Sequence, residues 1–329
     1  MDRRTVLAGL AAAATFTLGG CAETFFFHPD AATHMPRNRL GVTLEDVAFH
    51  SAGSRLHGWW MPAQGTARAT VVHCHGNAAN ISNHARLVAW LPAEHFNVLT
   101  FDYRGFGASD GRPSLDGVVE DVRAAIGEAR RRHPGLPIVL FGQSLGGATA
   151  ARAAAEDGGD DIRLLVIEGA FASYRDIVRD ATRGTVLSVV APIASSTLPA
   201  RQSDPLNAIA RLRMPVLVMH GERDRVIPIE HGERLYEAAA GPKRFVRVPE
   251  GRHLDAMSRP DVRHEVLAAI DEALPAASRA PRLKAADDRA PDAGRSKARC
   301  AAAGHAVEDS SGARASQWPD AASTAELPC

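Results

Sequence analysis

The run Phe141-Gly142-Gln143-Ser144-Leu145-Gly146-Gly147 joins an apolar stretch, 137–141, to an Ala-rich stretch, 148–155. The first reads as a buried strand and the second as a helix. Gly142, Ser144 and Gly146 fit G-x-S-x-G in the strand–turn–helix setting which that pattern requires. A serine on so sharp a turn leaves no room for side chains two positions away on either side, which explains the glycines. The turn lifts the hydroxyl above the sheet edge. The following helix aims its first N–H groups at the same spot, where negative charge can be stabilised.

The rest of the chain supplies a sheet for this turn. Strands are predicted over 42–49, 55–61, 70–74, 97–101, 164–167, 216–219 and 245–248, the first two forming a hairpin through Ser51-Ala52-Gly53-Ser54. Helices are predicted over 83–91, 115–131 and 262–274. Strands alternating with helices imply an α/β fold, a mostly parallel sheet covered on both faces after an antiparallel start. Ligands bind such sheets at the carboxyl ends of the strands, and every motif below falls at such an end.

Val71-Val72-His73-Cys74-His75-Gly76-Asn77-Ala78 ends a strand at a glycine turn. Acyl transfer needs two backbone donors for the developing oxyanion, one from the residue after the nucleophile and one from an earlier loop. The Leu145 and Asn77 amides fill these places, each worth about 3 kcal/mol of barrier lowering. His73 and His75 share a strand face and could suggest a metal, but no acidic or cysteine partner has suitable spacing. Cys74 reads as a small buried hydrophobe. In Phe101 to Gly111 the glycines make a tight loop without a phosphate-cradle pattern, and Asp102 and Arg104 read as loop-holding residues.

A serine hydroxyl needs a histidine to take its proton and an acid to fix that imidazole. The order Ser, acid, His offers Asp224 after the strand 216–219 and His253 after the strand 245–248. Glu222 and Glu168 are rival acids. His220 reads as structural, and Asp255 as a local cap.

Five motifs in order, His75-Gly76-Asn77, Asp102 to Gly107, Gly142 to Gly147, His220 to Asp224 and Gly251-Arg252-His253, resemble the α/β-hydrolase superfamily over about 40–275. The resemblance is to its small serine-hydrolase branch, which includes membrane-associated esterases and protein depalmitoylases. It implies Ser144, His253 and Asp224 as a catalytic triad, Asn77 and Leu145 as the oxyanion hole, and no metal or organic cofactor. Arg252 departs from the small residue that the family often places before the histidine. The expected substrate is a small-molecule or lipid-like acyl ester; a peptidase, an acyltransferase or a non-catalytic binding protein could present the same residues.

The two ends differ from this body. Arg3 and Arg4, an apolar run over 6–18 and Leu18-Gly19-Gly20-Cys21 resemble a bacterial lipoprotein signal, and Arg3 to Leu7 a loose twin-arginine signal. That resemblance implies removal of 1–20, a lipid on Cys21 and an exported, membrane-anchored lipoprotein of the cell envelope. Residues 21–39 then form an anchor or strap, in which Phe25-Phe26-Phe27 either sits at the membrane interface or, as such runs more often do, packs on the domain core. A weakly patterned stretch over 173–212 reads as a small helical lid. Residues 276–329 have few large apolar side chains and read as a disordered tail. Lys+Arg and Asp+Glu both number 38, which gives no nucleic-acid footprint, and four cysteines make no disulfide framework.

Overall fold

The computed structural model describes residues 25–183, 185, 198 and 200–278. The signal, Cys21, most of the lid's middle and all of the tail beyond residue 278 lie outside the described residues.

Eight strands form one sheet in the order β1-β2-β4-β3-β5-β6-β7-β8. The hairpin β1 (Glu45–Ser51) and β2 (Ser54–Met61) turns through Ala52 and Gly53, which both take positive φ, 43° and 87°. Two left-handed residues in succession match the twist of the flanking strands. β2 then pairs antiparallel with β4 (Phe96–Phe101). The others run parallel: β3 (Ala69–Cys74), β5 (Ile138–Gln143), β6 (Ile162–Glu168), β7 (Val216–Gly221) and β8 (Lys243–Val248).

Helices cover both faces. Among the described residues they are α1 (Ile81–His84), α2 (Gly117–Arg132), α3 (Leu145–Asp157), α4 (Tyr174–Thr182), α5 (Pro205–Ile209), α6 (Ile229–Ala238) and α7 (Pro260–Ala273). Successive strand residues point to opposite faces, so the sheet divides its side chains between two cores. Val72, Leu99, Leu140, Leu165 and Val218 pack with Val118, Val122 and Ile126 of α2 and the alanines of α3. Val71, Val98, Val139, Leu164 and Leu217 pack with Ile81 and with Val262, Val266 and Ile270 of α7. Both faces of β3, β4 and β5 are buried, which is why these strands read as continuous apolar runs.

The helix predicted over 83–91 is the clearest departure. It is broken into α1, capped by Asn80, a 3-10 turn at Ala85–Leu87 and a second at Leu91–Glu94 with Pro92 as its second residue. The helical spacing of its apolar residues survives because single turns present the same face. Helix α6 was not predicted; Gly232 in its middle weakens the local signal, and a Cβ there would stand 2.5 Å from His220 Nδ1. Upstream, Phe26 and Phe27 are buried, Phe26 packing on Phe171 and Tyr174 with ring centroids 5.8 and 5.4 Å apart. At the other end Arg68 Nε donates to the Ser278 carbonyl at 3.0 Å, so the chain still touches the domain at residue 278.

Candidate active site

Ser144 sits between β5 and α3 with φ 53° and ψ −120°, a combination that non-glycine residues seldom adopt. Its neighbours explain how the strain is held. A Cβ on Gly142 would come within 2.5 Å of the Gly146 oxygen and the Gly147 Cα, the backbone of the turn itself. A Cβ on Gly146 would instead run into the Cys74 carbonyl at the end of β3. The second glycine is therefore required by the neighbouring strand, and not by crowding from the serine as the motif alone suggested. Ser144 N–H donates to the Glu168 carbonyl at 2.8 Å, pinning the turn to the end of β6.

The loop after β3 lies against the serine. A Cβ on Gly76 would stand 3.4 Å from the Ser144 Cβ. The next residue, Asn77, is held by its side chain, whose Oδ1 accepts from the Ala78 and His28 amides at 2.8 and 2.9 Å. Among the described residues the Asn77 and Leu145 N–H groups donate to no protein acceptor. They remain available at the amino end of α3 and on the adjoining loop, where a developing anion can be met.

Asp224 and His253 leave β7 and β8. His253 Nδ1–H donates to Asp224 Oδ2 at 2.7 Å. The other carboxylate oxygen accepts the Val226 and Ile227 amides at 2.8 and 2.9 Å. Burial opposes charge on Asp224, but His220 and His253, at 3.5 and 2.7 Å, and the Ile227 amide hold its carboxyl well below the usual carboxylate range. An ionised acid bound to Nδ1 fixes one tautomer and leaves Nε2 as the nitrogen able to accept a proton. No hydrogen bond joins Ser144 Oγ to His253 Nε2 among the described residues. Register brings the ends together: Gln143 pairs with Glu168, and Glu168 with Met219. A Cβ on Gly169 would lie 3.4 Å from both Asp224 Oδ2 and His253 Nδ1. Gly169 follows the strand signal over 164–167, and its place was legible in the sequence, although its role in the site was not.

The rivals have other partners. Glu222 is exposed. Glu168 is buried, which raises its carboxyl above the ordinary range, and it binds Gln143 and the Ala256 amide instead of the imidazole. His220 Nε2–H donates to the Ile227 carbonyl at 2.8 Å, while its Nδ1 is buried without a partner. Asp255 closes its own turn by accepting from the Arg252 amide at 2.9 Å. Asp102 accepts from the Ile81 amide at 2.8 Å, and Arg104 forks onto Asp121, so both hold loops. His73 uses both ring nitrogens on Thr100 and Gln143, and His75 stacks among Tyr103, Phe106 and His84. Cys74 is buried and its thiol is pushed well above the usual range by desolvation. No described group of three or more His, Cys, Asp or Glu side chains is arranged to hold a metal ion.

An eight-stranded, mostly parallel sheet with an antiparallel start, and a strained serine between its fifth strand and the following helix, is the architecture of the α/β hydrolases. The chain belongs to this family. Residues 65–210 match the family described as serine aminopeptidase, S33. The uncharacterized protein YfhR of Escherichia coli K12 is 39% identical over 244 residues, covering 72% of this chain and 82% of that relative. The α/β-hydrolase domain-containing protein WAV2 of Arabidopsis thaliana is 31% identical over 235 residues, covering 66% of this chain and 74% of the relative. Among solved structures, the Pyrococcus furiosus esterase Pf2001 superposes with a TM-score of 0.63 at 19% identity, covering 76% of this chain and 99% of that one, which is a likeness of fold.

Proposed function

We propose that this hydrolase cleaves carboxylic esters through an acyl-enzyme on Ser144. His253 Nε2 takes the Ser144 proton as Oγ attacks the ester carbonyl carbon. The Asn77 and Leu145 amides hold the oxyanion, and Asp224 stabilises the imidazolium. Collapse of the tetrahedral species expels the alcohol, which takes the proton from His253. Water, deprotonated by the same nitrogen, then releases the acid and restores Ser144. The observation that carries this reading is the 2.7 Å bond from His253 to the buried Asp224 at the rim that also holds the strained serine. Hydrogen bonds from serine to histidine commonly tighten only once substrate is bound.

A second reading, cleavage of an amino-terminal peptide bond, is supported by the description of the matching family as a serine aminopeptidase. A series of p-nitrophenyl esters of increasing acyl length, assayed beside aminoacyl anilides, separates the two. Turnover of esters with kcat/KM at least tenfold above that of anilides supports the esterase; the reverse order supports the peptidase.

The proposal extends to location. Cys21 stands four residues before Phe25, the first described residue, and a lipid there would tether the domain to a bacterial envelope membrane. No described helix is long and apolar enough to cross a membrane. Mass spectrometry of protein purified from membranes tests this: a chain that begins at a diacylated Cys21 is expected, and an intact Met1 with an unmodified Cys21 would contradict it.

A further inference from the structure

A line of buried polar groups crosses the sheet beneath the site. Thr100, His73, Gln143 and Glu168 come from β4, β3, β5 and β6, and all four are buried. His73 Nδ1 lies 2.9 Å from Thr100 Oγ1, and its Nε2 lies 2.9 Å from Gln143 Oε1. Gln143 Nε2 lies 2.6 Å from Glu168 Oε2, and the Ala256 N–H donates to Glu168 Oε1 at 2.9 Å.

With Glu168 ionised, the line has one consistent set of protons. A carboxylate accepts, so the Gln143 amide nitrogen faces it and the Gln143 oxygen faces His73. His73 Nε2 must then carry the hydrogen, and Nδ1 accepts from the Thr100 hydroxyl. Burial lowers the His73 pKa to about 3, in keeping with a neutral ring that can do both. All donors point one way, toward Glu168, and both of its oxygens meet N–H groups.

The two groups that Glu168 binds matter to the site. Gln143 immediately precedes Ser144 on the elbow strand. Ala256 lies three positions after His253, and the turn between them is closed by the Asp255 bond to the Arg252 amide. Asp224 holds the imidazole ring; nothing in that bond sets how far the His253 loop stands from the serine. Glu168 spans this gap between the elbow and the loop.

We propose that Glu168 is a positioning residue which ties the strand carrying Ser144 to the loop carrying His253, and that the Thr100–His73–Gln143 line orients it. The inference rests on the proposed hydrolytic role of Ser144 and His253. Glu168 touches no substrate. Its effect is on the approach of the histidine to the serine, and a displacement of about 1 Å there can cost roughly a hundredfold in rate.

Two variants test it. Glu168→Leu removes both acceptors and releases the Gln143 side chain and the Ala256 amide. Glu168→Gln keeps the tie without the charge: its oxygen accepts from the Ala256 amide, its nitrogen donates to a Gln143 amide turned over, and His73 takes the other tautomer. Steady-state kinetics on the preferred p-nitrophenyl ester, with thermal unfolding of each protein, are the readouts. Glu168→Leu is expected to lose about tenfold to a hundredfold in kcat with KM within about twofold. Glu168→Gln is expected to keep kcat within about fivefold of wild type. Wild-type kcat in Glu168→Leu would overturn the proposal. So would a folded Glu168→Gln as impaired as Glu168→Leu. Where Glu168→Leu does not fold, Glu168→Gln decides alone, and a loss of about a hundredfold in that folded variant would overturn the proposal. If the wild-type enzyme turns over no ester and Ser144 resists a fluorophosphonate, the hydrolytic reading fails instead of this one.

Discussion

His253 and Asp224 leave adjacent strands, stand 29 residues apart in sequence, and meet through a 2.7 Å hydrogen bond from Nδ1–H to Oδ2. The same carboxylate is anchored on its other oxygen by two backbone amides. The carboxylate is thus oriented by the loop after β7 as well as by the imidazole that it holds.

Replacing that acid by an amide tests the pairing. Asp224→Asn keeps the size of the side chain but can present an N–H to His253, which then takes the wrong tautomer. We expect kcat on the best ester to fall by about 10³–10⁴-fold, with far-UV circular dichroism unchanged. A fall of less than tenfold would show that Asp224 does not orient the base.

The turn can be tested by volume. Gly146→Ala puts a methyl group into the Cys74 carbonyl at the end of β3. Overpacking of this kind costs about 1–3 kcal/mol. Urea unfolding should show a loss in that range, with a larger relative loss of esterase activity because the serine turn must move.

Much of this arrangement was legible in the sequence. Strand runs with both faces buried, such as Val71-Val72 and Ile138 to Phe141, are apolar throughout and announce themselves. Gly142, Ser144 and Gly146 mark the turn because only small residues fit there. What the sequence hides is contact between distant elements. That Gly146 answers to Cys74 cannot be read from a local motif, nor that Glu168 faces Ala256 and Gln143 instead of His253. Helical periodicity over 83–91 was real, but it could not distinguish one helix from three short turns sharing a face.

The N-terminal segment is expected to be structural. Phe26 is buried against Phe171 and Tyr174, and the adjoining His28 amide steadies Asn77. Phe26→Ala should destabilise the protein by about 3–5 kcal/mol in chemical denaturation. A loss under 1 kcal/mol would mean that the aromatic run is not part of the core.

His57 gives a pH-dependent contribution to stability. Hydrogen bonding to buried Asp102 raises its pKa, burial partly offsets this, and Asp46 raises it further. A histidine whose folded pKa lies above its unfolded value stabilises fully below the unfolded pKa. That contribution is lost as pH rises through the folded pKa. The difference in Tm between wild type and His57→Gln should therefore be largest below about pH 6 and shrink as pH rises past the folded value. A difference that grows toward alkaline pH would contradict the assignment.

The nucleophile itself is open to direct measurement. Incubation of the folded protein with a fluorophosphonate, followed by peptide mass spectrometry, locates any serine activated by a neighbouring base. The adduct is expected on Ser144, and it should be absent from a folded Ser144→Ala variant. A folded wild-type protein that takes up no probe, or takes it up at a different serine, would contradict the account.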